Sequence, residues 1–363
     1  MKNIVFLVTI LVLLAGCAPA EKGPVKIGFV GPFSGGPAQF GEMMQHGLDA
    51  ALQELPESER AKFVIIKEDD KGKAVDAVTA VKKLIEVDDV DFVIGPMMNE
   101  AVIATENLFE ENKVIALTIG LPSNKIANMG AYHFSFSPEI EYLMETMAGK
   151  VFSLGFKRVA VIHMNAAFEK ENDIHFVNHF KALGGEVVID EAFDKGTADY
   201  RTGLAKIKQA DPDALMIMAH TGELNNILQQ VNELGMGNLP KFGIHAAETP
   251  MLLKVGPIAE GFIYPYPADK QQSPASQRYA QRYVELFKTS PDPYSSNVYD
   301  SFKILVDALD KCNNDKECVR NRIAGLQNYE GANGVLTLDD RGVGTYKEIM
   351  LKTVRNGAFE KLQ

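Results

Sequence analysis

The chain has 363 residues, of which 46% are hydrophobic and 23% charged, and its formal net charge is −11 at pH 7. That acidity argues against nucleic acid, which wants basic patches, and against a membrane contact made by a cationic surface. The length exceeds one typical domain and suits two.

The first element in chain order is an export signal. Lys2 gives a positive start, Ile4 to Leu14 is apolar apart from Thr9, and Leu14-Ala15-Gly16-Cys17 closes the segment. Such a run is too short to span a bilayer stably. Small residues directly before a cysteine resemble a bacterial lipobox, which implies removal of residues 1–16, acylation of Cys17 and a short tether over 17–23.

Strands and helices then alternate. Short β-branched or apolar runs predict strands at Val25 to Val30, Phe63 to Lys67, Asp91 to Ile94, Val114 to Thr118, Arg158 to His163, Glu186 to Asp190, Ala214 to Met218 and Phe242 to Ile244. Helical spacing fills the gaps. Phe40, Met44, Leu48, Ala51, Leu52 and Leu55 share one helical face, with Glu42, Gln45, Asp49 and Gln53 on the other. Further helices are predicted near Ala74 to Glu86, Glu100 to Glu111, Ile140 to Phe152, Glu169 to Leu183, Tyr200 to Gln209 and Leu224 to Leu234.

The alternation breaks at Phe136-Ser137-Pro138-Glu139 and again at Tyr264-Pro265-Tyr266-Pro267, both read as crossings between lobes. A helical stretch from Ser273 to Asp310 follows, then strands at Val335 to Leu338 and Tyr346 to Val354 around the turn Asp339-Asp340-Arg341-Gly342. The predicted fold is α/β, with two doubly wound parallel-sheet lobes joined by three crossover strands. Lobe 1 is expected over 24–137 plus 268–333, and lobe 2 over 138–267 plus 334–363.

Seven segments, in their order and spacing, resemble the type I periplasmic binding proteins, in the Leu/Ile/Val-binding branch that serves ABC importers. They are IGFVGPFSGGPAQFG (27–41), DFVIGPMMNEAV (91–102), KRVAVIHMNAAFEK (157–170), FKALGGEVV (180–188), DYRTGLAKIKQADPDALMI (199–217), NVYDSFKIL (297–305) and GVLTLDDRG (334–342). The resemblance covers nearly the whole mature chain. It implies ligand capture in a cleft between the lobes, closure over the ligand, and delivery to ABC permease subunits.

Independently, ligands of open α/β sheets collect beyond the carboxyl ends of the strands. That rule selects Gly31 to Phe40, Met97 to Glu100 and Thr118 to Ser123, and in the second lobe His163 to Phe168, Ala219 to Thr221 and Ile244 to Ala247. Helix N-termini and turn amides there can hold a carboxylate, with the Asn99 side chain as a further donor or simply a helix cap. Ser34 reads as a ligand or turn hydroxyl.

In the resembled proteins a serine, a backbone group and a threonine hold the ligand's α-carboxylate and α-amine. The matching positions here are Asn99, Gly120 and either Pro122 or Ser123. Phe40 and Phe168 match tyrosines, Tyr294 a phenylalanine and His220 a tyrosine. The ammonium-binding glutamate falls on or beside His245, and only Glu248, a few residues on, could substitute. A buried ammonium without a carboxylate loses about 3–5 kcal/mol. The resemblance therefore implies a small, largely apolar carboxylate, either an amino acid held by a modified site or an aromatic or aliphatic acid.

Other features add less. Cys312 and Cys318 could close a small loop as a disulfide in an exported chain. His175 and His179, with Glu171 one turn earlier, have metal-ligand spacing on a face that looks solvated. No GxSxG, Walker A or HExxH pattern occurs. The expectation is a monomeric, membrane-tethered binder that is not an enzyme and needs no cofactor or metal. The rival expectation is a two-lobed lipoprotein that has lost its ligand, or senses one, and regulates a partner protein.

Overall fold

A computed structural model describes residues 23–362 except 121 and 270–272, so the signal and Cys17 lie outside the described residues. The first lobe runs β1 (Val25–Gly31), α1 (Ala38–Gln53), a short α2 (Glu57–Arg60), β2 (Phe63–Asp69), α3 (Ala74–Glu86), β3 (Phe92–Ile94), α4 (Asn99–Asn112), β4 (Ile115–Thr118), a short α5 (Asn124–Ala127) and β5 (His133–Ser135). Its sheet has the order β2-β1-β3-β4-β5 and every pairing is parallel. β3 and β4 are buried along their whole length because helices cover both faces. Ile27, Phe29, Phe92 and Ile94 pack with α1 on one side, while Val30, Val93 and Ala116 pack with Val81, Leu84 and Phe109 on the other.

The second lobe repeats the winding with α6 (Ile140–Ser153), β6 (Arg158–Met164), α7 (Ala167–Ala182), β7 (Glu186–Phe193), α8 (Arg201–Ala210), β8 (Ala214–Met218), α9 (Thr221–Glu233), β9 (Lys241–Gly243), a 3-10 turn over His245–Ala247, a short α10 (Pro250–Leu253) and β10 (Ile263–Asp269). The chain then adds α11 (Pro274–Phe287), α12 (Pro293–Lys311) and α13 (Lys316–Ala324), with α12 packed on α1. A small antiparallel sheet of β11 (Tyr329–Gly331), β12 (Gly334–Leu338) and β13 (Gly344–Thr345) follows. β14 (Ile349–Arg355) and β15 (Ala358–Lys361) finally complete the second sheet, whose order is β15-β14-β10-β9-β8-β6-β7. Counted from the β7 edge, its first five strands follow the same order as the first sheet, and β14 and β15 add to it antiparallel.

The structure refines two sequence expectations. Tyr264-Pro265-Tyr266-Pro267 lies inside β10, the strand that leads into the crossing at Asp269. Proline is tolerated because β10 pairs with β9 through Ile263 alone, so few amides are needed on that side. The helical stretch from Ser273 to Asp310 is two helices. Lys288 ends the first at φ 58°, and Asp292 Oδ1 starts the next by accepting from the amides of Tyr294 and Ser295 at 2.9 and 2.8 Å.

The crossings are tied to one another. The Ser135 amide donates to Gly342 O at 3.0 Å, the Asp269 amide to Asn333 O at 2.8 Å, and Tyr346 Oη to Phe136 O at 3.0 Å. One close approach sets the site: a Cβ on Gly47 of α1 would lie 2.1 Å from Ser295 O. Glycine there lets α12 settle against α1 and brings Tyr294 beside Phe40. Cys312 and Cys318 are joined in a disulfide between the end of α12 and α13. Among the described residues no helix is long and apolar enough to cross a membrane.

Candidate functional site

Rings from both lobes converge beyond the carboxyl ends of the two sheets. From the first lobe come Phe40 on α1 and Tyr294 on α12, edge to face with centroids 5.3 Å apart. From the second, Phe168 on α7 stacks on His220 at 6.0 Å and 20°, and stands edge-on to His245 at 5.6 Å. The two sets meet. Phe40 and His220 are 6.3 Å apart, as are His245 and Tyr294, and His245 Nε2 lies 3.4 Å from Tyr294 Oη. A further link joins the lobes where the Asn124 amide donates to Glu171 Oε1 at 2.8 Å.

Burial sets the chemistry of these groups. Burial first, and the charge of His220 second, push the His245 imidazole down to about 3, which leaves the ring neutral at neutral pH. The Nδ1 atoms of His220 and His245 are both buried without a hydrogen-bond partner. Glu169, next to Phe168, is only 1% exposed. Its Oε1 lies 3.0 Å from His220 Nε2, in ion-pair range, yet out of line for a hydrogen bond and without any other partner. The helix dipole favours an acid in this first turn of α7. Phe40, Tyr294, Phe168, His220, His245 and Glu169 thus offer three aromatic rings, two imidazoles and one carboxylate, but no lysine or arginine.

Backbone donors lie at the same ends of the sheets. α1, α4, α7 and α9 all begin at the carboxyl ends of strands, and none has its first turn capped by a side chain. Asn99 is the first residue of α4, whose cap position is Met98. It stands against Gly120, where a Cβ would lie 3.3 Å from Asn99 Oδ1 and 2.3 Å from Met97 O.

A model described as periplasmic binding protein matches residues 24–352. The chain belongs to the type I periplasmic binding proteins. It is 23% identical over 340 residues to a Leu/Ile/Val-binding protein of Rhizobium johnstonii, covering 92% of each. Its fold is similar to a leucine-binding protein from Thermotoga maritima, with a TM-score of 0.86, 24% identity, and coverage of 93% of this chain and 98% of that one. A solute-binding protein of R. palustris in complex with benzoate is similar at a TM-score of 0.84 and 19% identity, covering 94% and 96%.

Several polar residues singled out from the sequence are engaged elsewhere in this binding protein. Ser34 is exposed, and its hydroxyl and amide both donate to Asp69, which also accepts from the Phe33 amide at 2.9 Å and so closes the Gly-rich turn. Ser123 is buried and caps α5 by accepting from the Ile126 amide at 3.2 Å. Glu248, the substitute for the displaced glutamate, is held by Lys352 of β14 and by Tyr264 Oη at 2.7 Å. His175 and His179 share Glu141 of α6 as their acid, at 3.8 and 3.3 Å, and Glu171 is 3.9 Å from His175.

Sequence reasoning missed Glu169. It sits in the charged run Phe168-Glu169-Lys170-Glu171-Asn172, which reads as a solvated helix start, and nothing in that run marks which acid turns inward. The helical spacing to Asn172, Asp173, Phe176 and Phe180, all buried, was the available signal.

Proposed function

We propose that this binding protein is an extracytoplasmic solute-binding lipoprotein of an ABC importer, tethered by acylated Cys17, that captures a small, mainly apolar carboxylate by hinged closure of its lobes. The observation that carries the reading is the ring set divided between lobes, Phe40 and Tyr294 on one side and Phe168, His220 and His245 on the other. Such walls suit an apolar body. The carboxylate is served by the amides at the starts of α4 and α9 and by Asn99 beside Gly120, with no buried cation needed. The unpaired Nδ1 atoms of His220 and His245 would meet the ligand's polar edge.

The similar structures include both a leucine-binding protein and a benzoate complex, which brackets the same chemical class. With Glu248 held by Lys352, an amino-acid ligand would place its ammonium on Glu169; an aromatic or aliphatic acid would need no such partner. We assign the lobes to 24–137 with 268–333 and to 138–267 with 334–363. Opening and closing occur at the crossings near Phe136, Asp269 and Gly342. The closed pair of lobe surfaces is what the permease subunits recognise, and residues 17–23 form a short tether for a protein acting as a monomer.

A thermal-shift screen over hydrophobic amino acids, small aromatic and aliphatic acids, and sugars tests this. A ligand at a hundred times its Kd adds about 2.7 kcal/mol, a rise of several degrees in Tm. Stabilisation by sugars alone, or by nothing, contradicts the proposal.

A further inference from the structure

Further along α7 from the ring set, three side chains with metal-binding chemistry converge. His163 on β6, Asp173 on α7 and Asp190 on β7 each place one ligand atom within 4.8 Å of the others. His163 and Asp173 are buried, at 7% and 9% exposure, while the Asp190 side chain is 39% exposed.

Strand register brings them together. β7 runs parallel to β6, but the pairing shifts between Val159 and Ala160, so that Val188 is passed over. Without that bulge Asp190 would lie opposite Ile162, which packs on the far face of the sheet. With it, Asp190 pairs with Val161, on the face that carries His163 and is covered by Phe176 and Phe180 of α7.

The hydrogen bonding decides the matter. His163 Nδ1 is 3.0 Å from the Met164 carbonyl, which can only accept, so Nδ1 carries a proton. In the neutral ring Nε2 is then a lone pair, and it faces Asp190 Oδ1 at 3.5 Å. Asp173 Oδ1 is buried with no hydrogen-bond partner. A lone pair and two carboxylates brought together repel unless a proton or a metal cation sits among them.

We infer that His163, Asp173 and Asp190 form a binding site for one divalent transition-metal ion, of which zinc fits the donor set. Zinc takes imidazole nitrogen and carboxylate oxygen at about 2.0–2.2 Å, which makes the edges of its tetrahedron about 3.3–3.6 Å. The spacing of 3.5 Å between His163 Nε2 and Asp190 Oδ1 is of that size. A histidine whose Nδ1 donates to a backbone carbonyl is fixed in the tautomer and orientation that a ligating ring needs. The part-exposed Asp190 provides the way in. This site does not depend on the identity of the transported solute.

The test is calorimetric and thermal-unfolding titration of the chelator-stripped, purified protein with zinc chloride. Asp173→Asn, Asp190→Asn and the double variant His175→Gln/His179→Gln are titrated alongside. The wild type and the histidine double variant are expected to take up one zinc ion per chain and to rise in Tm; each aspartate variant weakens uptake at least about tenfold. Asp190→Asn changes a part-exposed side chain and carries the test if the buried substitution does not fold. An absence of uptake in the wild type, which a proton on Nε2 in place of the metal would produce, overturns the inference. So does uptake that survives both aspartate variants or is lost only in the histidine double variant.

Discussion

Lys352→Met keeps the side-chain stem but takes the ammonium away from Glu248, which is 7% exposed and would be left in β-sheet surroundings without its cation. Breaking one side of a buried pair costs about 3–5 kcal/mol. Tyr264 Oη would still donate to Glu248 Oε2 at 2.7 Å. Burial already pushes the Glu248 carboxyl up, against the pull of Lys352, so protonation relieves part of the loss. The lower end, about 3 kcal/mol, is therefore expected near neutral pH, or on the order of 4 °C in Tm, with a larger cost at higher pH. The assay is thermal and urea unfolding of wild type, Lys352→Met, Glu248→Gln and the double variant at pH 8, with ligand affinity measured on all four. The double variant removes both charges and should recover much of the loss, giving a coupling of roughly 1–3 kcal/mol. Ligand affinity should be the same throughout. A cost under about 1 kcal/mol for Lys352→Met would refute the reasoning. Loss of ligand binding in Glu248→Gln at unchanged Tm would do so as well, by placing that carboxylate on the ligand.

Three further outcomes follow from the same geometry. Glu169→Gln should weaken a zwitterionic amino acid by about tenfold or more, the worth of a charged hydrogen bond, while leaving benzoate affinity nearly unchanged; calorimetry with both compounds checks it, and equal losses would show that Glu169 acts only through His220. His245 and His133 are pushed down to about 3 and about 4 by burial. The folded state therefore binds fewer protons than the unfolded one, and the stability these rings allow is present above about pH 6.5 and lost as pH falls toward 4. Asp300, held up at about 7 by burial, works in the opposite sense over much of that range. A comparison with His245→Gln isolates the ring: below pH 6 the variant should lose less stability than wild type, by up to about 1.4 kcal/mol per pH unit, and parallel curves would mean a charged ring in the folded protein. Removing the Cys312–Cys318 bridge, which closes a sequence separation of 6, should cost about 2 kcal/mol in urea unfolding and leave ligand affinity unchanged.

Much of the architecture was legible because strand runs such as Val159–Ile162 and Ala214–Met218 are buried and apolar whatever the ligand. The aromatic positions were legible for a similar reason: Phe40, Phe168 and Tyr294 stand at the ends of elements whose order the sequence already shows. β10 was hidden because Pro265 and Pro267 look like breakers until it is seen that a single residue pair binds it to β9. Polar roles were harder to read, because a hydroxyl has several partners open to it. Ser34 takes the turn-hydroxyl role offered beside ligand contact, through Asp69 at the end of β2, and Ser123 caps its own short helix, as hydroxyls near helix starts commonly do. The partner of Glu248 was hidden because Lys352 lies 104 positions away in sequence, on an antiparallel strand that returns to the second sheet at the end of the chain. Asp190 turns toward His163 only through a bulge, which hydrophobic alternation cannot foresee.

The two lobes must shut on a small carboxylate if the transport reading is right, and small-angle X-ray scattering of the purified protein, free and saturated with the best-stabilising amino acid or organic acid, measures this directly. A more extended free form that contracts on binding is the predicted result, with the contraction reduced when Phe40 and Phe168 are both replaced by alanine. A protein that keeps the same dimensions throughout and takes up none of these acids would contradict it.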